Sequence, residues 1–217
     1  MNHEVPQRTW EKVAVDLLTQ DQKDYLLTVD YYSGFWELDR LYTTDSGTVV
    51  RNLKTHFARY GSPCQLLSDN GPHFVAAEFQ KLTKEWDIED TVTSPYNSKG
   101  NGQVEAAVKS AKKLLRAAMI FPWDFLRYSI LNTRSQGIGS SPGRLLTKRR
   151  TRTLLPTTRT LLELGSFSTN QEREREKLKD VQKRQARYYN AHAKDLPPLH
   201  EGDTVRLKPF QLGQKEW

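Results

Sequence analysis

The sequence predicts an α/β domain, a mixed five-stranded sheet flanked by helices and followed by a long charged helix. Three observations lead there. Residues 13–42 hold three apolar runs separated by short polar turns. Helical periodicity then alternates with further short apolar runs as far as residue 119. From about residue 170 the chain alternates charges with few apolar positions.

The elements follow in order. VAVDLL (13–18) is a mostly apolar run of the kind a buried strand shows. DYLLTVDYY (24–32) is rich in apolar and aromatic residues, and FWELDRLY (35–42) partly alternates. Gln20–Lys23 and Ser33-Gly34 supply the turns, so these strands are expected to be antiparallel neighbours. A helix comes next. Asp45 or Ser46 caps it, Val49, Val50, Leu53, Phe57 and Tyr60 recur at helical spacing, and Gly61 and Pro63 stop it. CQLLSDNG (64–71) reads as a short strand breaking at a turn, 76–86 as a helix and 88–94 as a strand. PYNSKGNGQ (95–103) is a polar, Gly-rich loop before a strong helix over 103–119. The order is β-β-β-α-β-α-β-α. Another helix is expected over 121–136. Residues 138–169 read as a basic, irregular connection, 170–196 as the long charged helix, and 197–217 as the truncated start of a further module.

Composition narrows the function classes. A mean hydropathy of -0.73 is polar, yet 10% aromatics can still build a core. No run of 18 apolar residues is present, so no transmembrane helix and no membrane partner are expected. The first residues lack the apolar stretch of a secretory signal. A lone cysteine, Cys64, excludes an internal disulfide and any zinc site needing two cysteines. His3, His56, His73, His192 and His200 are scattered without an HxxxH pair, so no zinc is expected in this segment. The net charge of +7 suits a polyanion partner.

Three carboxylates stand at telling places. Asp16 interrupts an apolar strand, a costly site for a charge without compensation. Asp69 ends a second strand, and Glu105 lies in the first turn of the strong helix. If the strands are neighbours under that helix, all three meet at one sheet end. There their mutual repulsion shifts each other's pKa, and a hard divalent cation relieves it. Two such ions a few ångströms apart suit phosphodiester chemistry.

The helix supports this placement. With Val104 at zero and about 100° per residue, Ala107, Val108, Ala111, Leu115 and Ala118 fall within roughly 60°. Glu105, Lys109, Lys112 and Arg116 fall at roughly 100°, 140°, 80° and 120°. One face is core; the adjoining stripe carries the carboxylate and three cations placed to follow a phosphate backbone. Each acid alone also has a structural reading: Asp69 as a turn residue, Glu105 as a complement to the helix dipole. Asp30, inside VDYYSG, is read as structural. Lys148-Arg149-Arg150-Thr151-Arg152 fits DNA binding, a nuclear signal or a solvated loop.

With these residues in view, the chain resembles the integrase core of retroviruses and LTR retrotransposons, most closely the gypsy class. The matching words are VDLL with Asp16, YLLTVDYYSGFWE, LLSDNGPHF with Asp69, and SPYNSKGNGQVEAAVKSAKKLL with Glu105. Between Asp69 and Glu105 lie 35 residues, the spacing of that family's D,D-35-E motif. SSPGRLL, RRTRTLLPT and RYYNAHAKDLPPLHEGDTVRLKP resemble the continuation toward its C-terminal module.

The resemblance implies a ribonuclease H-like core over 1–137 and an SH3- or chromo-like module beginning in 197–217. It implies DNA integration by a polynucleotidyl transferase and endonuclease. Water first cleaves near the 3′ end of the element DNA, and the freed 3′-hydroxyl then attacks a target phosphodiester, with no covalent protein intermediate. Asp16, Asp69 and Glu105 are the implied catalytic residues and ligands, holding two Mg²⁺ or Mn²⁺ ions when DNA is bound. Lys109 and Lys112 match helix lysines that touch DNA. Arg116 continues their stripe. Asn101 and Gln103 match the mobile loop before the catalytic glutamate, and Tyr96 is placed to stack on a base. A homo-oligomer is implied, working in the nucleus after synthesis in the cytoplasm.

The sequence departs from that family in places. The paired His and Cys of that family's N-terminal zinc module are not expected in this sequence. Leu131-Asn132-Thr133-Arg134 stands where an RNTP-like word is usual, and Thr147-Lys148 where Met-Gly is common. A host-adopted, catalytically silent DNA-binding protein is therefore the alternative. A nuclease that only hydrolyses is a third reading.

Overall fold

The computed structural model describes residues 5–69, 71–93, 102–118, 139–152, 156, 158–162 and 171–190. Five strands form one sheet in the order β3-β2-β1-β4-β5. β1 (Lys12–Gln20), β2 (Lys23–Asp30) and β3 (Trp36–Leu41) are antiparallel neighbours, with Asp16 opposite Leu27 and Thr28 opposite Glu37. β4 (Gln65–Asp69) runs parallel to β1, with Ala14 opposite Leu67. β5 (Glu89–Thr93) runs parallel to β4.

Alternation along the strands divides the core between two faces. Val13, Val15, Leu26 and Leu66 point to one face. There they pack with Val49, Leu53 and Phe57 of α1 (Ser46–Tyr60) and with Phe79 and Leu82 of α3 (Ala77–Glu85). Leu18, Leu27, Val29 and Leu38 point to the other. They meet Ala107, Ala111 and Leu115 of α4 (Gly102–Ala118), while Ala14 and Leu67 meet Val104. The face expected from the helical spacing is the one buried; Ala118's side chain lies outside the described ones.

Local chemistry sets the boundaries. Asp45 caps α1, its carboxylate accepting from the Thr48 N–H at 2.9 Å and from the Thr43 and Thr48 hydroxyls. These hydrogen bonds hold Asp45 well below the usual carboxylate range. Gly61, at φ 88°, ends the helix by donating to the Phe57 carbonyl. Asp30 is structural, as read. It is fully buried and accepts from the backbone N–H groups of Trp10, Tyr32 and Ser33 and from the Ser33 hydroxyl. Burial pushes its carboxyl upward, and those donors oppose the rise.

Two short elements depart from the expected layout. α2 (Pro72–Val75) follows β4 directly where only a turn was expected, because Pro72 is pre-set for a first helical position. The expected irregular connection contains α5 (Pro142–Thr147). Ser141 caps it by accepting from the Arg144 N–H, and Leu145 is buried beneath it. A 3-10 turn spans Thr160–Leu162. The expected helix over 121–136 and the module after 197 lie outside the described residues. The long helix α6 (Gln171–Asn190) is largely solvated as expected, but its Leu178 is buried against Val5 and Tyr32.

Candidate functional site

The last paired positions of β1 and β4 are Ala14 and Leu67. Asp16 and Asp69 each lie two residues further along strands running the same way. Period-two alternation puts both on the α4 face. Asp16 is half-buried and Asp69 exposed at the strand end. Burial, reinforced by the charge of Asp69, pushes the Asp16 carboxyl up to about 6; a hydrogen bond from the Leu17 backbone and the Lys112 ammonium pull the other way. Asp69 is oriented by its turn, since its Oδ1 accepts from the Gly71 N–H at 3.0 Å. A Cβ at Gly71 would stand 2.8 Å from that same oxygen, so a larger residue there would displace the end of the Asp69 side chain.

α4 lies against this pair. Val104 packs on Ala14 and Leu67, and Glu105 follows it, half-buried in the first turn. The stripe expected on α4 divides by burial. Glu105 and Lys112 are half-buried; Lys109 and Arg116 are exposed. The Lys112 charge acts on Asp16, while the other two cations are exposed to water. Among the described residues no three carboxylate, histidine or cysteine side chains stand close enough to hold one ion. The charge of Asp69 reaches Asp16, and the three acids do not close into such a group. Tyr96 and Asn101 lie outside the described residues. Gln103 sits in the first turn of α4, its side chain outside the described ones.

Behind the site, on the opposite face, lies a polar network the sequence did not announce. His56 is fully buried. Its Nδ1 pairs with the Thr28 hydroxyl at 3.0 Å and its Nε2 with the Asp39 carboxylate. Beside it, Glu37 accepts from Arg59 at 2.8 Å and from the Tyr60 hydroxyl at 2.6 Å. One signal existed: His56 shares the buried face of α1 with Leu53 and Phe57. Thr28 is wholly buried, so the trio is not a nucleophile site; it pins α1 to β2 and β3.

The fold is that of integrase catalytic cores. The structure is similar to the catalytic core domain of BIV integrase, with a TM-score of 0.57 and 23% identity, over 64% of this chain and 95% of that one. It is also similar to the HTLV-2 integrase catalytic core domain, solved in complex with magnesium in a trimeric form. There the TM-score is 0.53 and the identity 17%, over 65% of this chain and 97% of the other.

Residues 8–98 match the family described as Integrase core domain. Over 126 residues the chain is 29% identical to the Gag-Pro-Pol polyprotein of Squirrel monkey retrovirus, covering 56% of this chain and 6% of the polyprotein. The chain therefore spans only a small part of the curated relative it matches.

Proposed function

We propose that this chain is the catalytic core of an integrase that joins element DNA to target DNA by metal-dependent polynucleotidyl transfer. The observation that carries the reading is the Asp16–Asp69 pair on parallel neighbouring strands, beneath a helix bearing Glu105. The 35-residue spacing, the integrase core fold and the family match over residues 8–98 support it.

The residues suit a hard divalent ion. Two carboxylates converge on a half-buried spot where their charge is under-compensated, which is the donor chemistry Mg²⁺ or Mn²⁺ prefers. Asp16 and Asp69 would hold it, with Glu105 completing the set. When bound, such ions supply charge stabilisation to the phosphate and to the attacking and leaving oxygens. The chain's own groups do the rest. Lys112 offsets negative charge beside Asp16, and Lys109 and Arg116 offer phosphate contacts from the exposed stripe. Tyr96, Asn101 and Gln103 complete the proposed DNA contacts.

The finer assignments belong to the same proposal. The gypsy class is supported by the sequence words quoted above; the curated relative described here is retroviral. DNA is the partner, the working form is a homo-oligomer, and the compartment is the nucleus. The HTLV-2 core's trimeric form supports an oligomer here by analogy alone.

One observation favours the second reading, a catalytically silent DNA-binding descendant: among the described residues the three acids do not close into a metal-holding group. Strand transfer with an oligonucleotide donor and target separates the two. Joined products in Mg²⁺ or Mn²⁺ that vanish with Glu105→Gln support the integrase. Cleavage without joining supports a hydrolytic nuclease. Salt-dependent binding with no products from any variant supports the silent descendant.

A further inference from the structure

A second basic surface lies away from the carboxylates. α5 leans through Leu146 on the α1 side of the sheet, whereas Asp16 and the α4 stripe occupy the other side. The chain leaves α5 through Lys148, which adopts the left-handed conformation at φ 57° and donates its N–H to the Arg144 carbonyl at 2.9 Å. A non-glycine residue is rarely held in that conformation, so its surroundings must enforce it. Here the Lys148 ammonium lies over the ring of Tyr32, 5.0 Å from its centroid. Tyr32 is buried and also receives Val5 and, from α6, Leu178. The turn is thereby fixed to the segment that follows β2, where the neighbouring Tyr31 donates its N–H to the Lys12 carbonyl.

Beyond this anchor come Arg149 and Arg152, both exposed, and Arg150, half-buried. Among the described residues none of the three joins an ion pair. Three guanidinium forks on four consecutive residues span at most roughly 10 Å. With the added reach of the side chains, that length serves about two to three phosphates along one strand of a duplex. Arginine's planar donors suit phosphate oxygens better than a compact ammonium does.

We propose that Arg149, Arg150 and Arg152 form a second, catalysis-independent contact for a duplex DNA backbone, on a different face from the α4 stripe. It rests on the integrase reading in that DNA is taken as the polyanion. Lys148 is a positioning residue that aims the turn.

The test is fluorescence anisotropy of a labelled duplex with the full chain over a salt series. Replacing the three arginines by alanine is expected to lower the slope of log affinity against log salt by about 2–3, near 0.9 for each phosphate no longer neutralised. Arg149→Ala alone should lower it by about 1. Replacement of all three by lysine should restore most of the slope. A wild-type slope in the alanine variant, with an unchanged thermal melt, overturns the proposal and leaves the turn to an acidic protein partner. A lowered slope in a chain that yields no joined products keeps this surface while removing the integrase reading.

Discussion

Asp16 and Asp69 occupy equivalent positions on adjacent parallel strands, each two residues past the last position at which those two strands pair with each other, and the charge of Asp69 raises the pKa of Asp16. The fold holds two like charges together at a cost to its own stability. Such a cost is expected where function needs the strain.

A stability dependence on pH follows from that pair. The folded-state pKa of Asp16 is about 6 against an ordinary 3.8. Between these values the folded chain binds more protons than the unfolded one, so stability falls as pH rises through the window and levels off above it. The upper bound is about 3 kcal/mol, and about 1–2 is expected after partial solvation. Asp16→Asn should accordingly raise the melting temperature at pH 8 by several degrees, leave it nearly unchanged at pH 4, and abolish DNA joining. A thermal melt of both chains at the two pH values checks this.

The Lys112 charge acts on Asp16 and opposes the upward shift. Lys112→Gln should therefore raise the Asp16 pKa further and move the alkaline-rising limb of the joining activity to higher pH. Lys109→Gln, on the exposed side of the same helix, should weaken DNA binding without moving that limb. A pH profile of each variant at saturating metal separates the two roles.

Gly71 approaches the Asp69 carboxylate too closely for a Cβ. Its φ of −66° is ordinary, so Gly71→Ala strains no backbone. The far end of the Asp69 side chain has to move instead. The variant should melt within about 1 kcal/mol of the wild type while losing tenfold or more in joining rate. Steady-state assays alongside a denaturation curve test it.

His56 should matter for stability alone. His56→Ala removes the partner of buried Thr28 and of Asp39 and opens a cavity, for an expected loss of about 3–5 kcal/mol. Urea unfolding reads the loss directly.

What was legible in the sequence was what periodicity and capping encode. Asp45 and Gly61 bounded α1, and the helical wheel placed Val104, Ala107, Ala111 and Leu115 on the buried face of α4. The same wheel set Glu105 and Lys112 on one stripe, and both prove half-buried. Pro72–Val75 escaped because four residues carry no period, although Pro72 marked the start. Pro142–Thr147 escaped because basic residues masked a Ser141-Pro142 helix start. The Thr28–His56–Asp39 network joins three elements, and nothing local announces such pairing. How far Glu105 stands from the other two acids depends on the packing of α4 as a body, which spacing along the chain does not encode.

Divalent-ion binding gives the most direct test of whether these carboxylates work together. Mn²⁺ binding followed by electron paramagnetic resonance on the wild type, Asp69→Asn and Glu105→Gln reads each residue's contribution. The expected result is specific binding in the wild type, lost with Asp69→Asn and weakened at least tenfold with Glu105→Gln. Equal binding by all three chains would contradict the shared site.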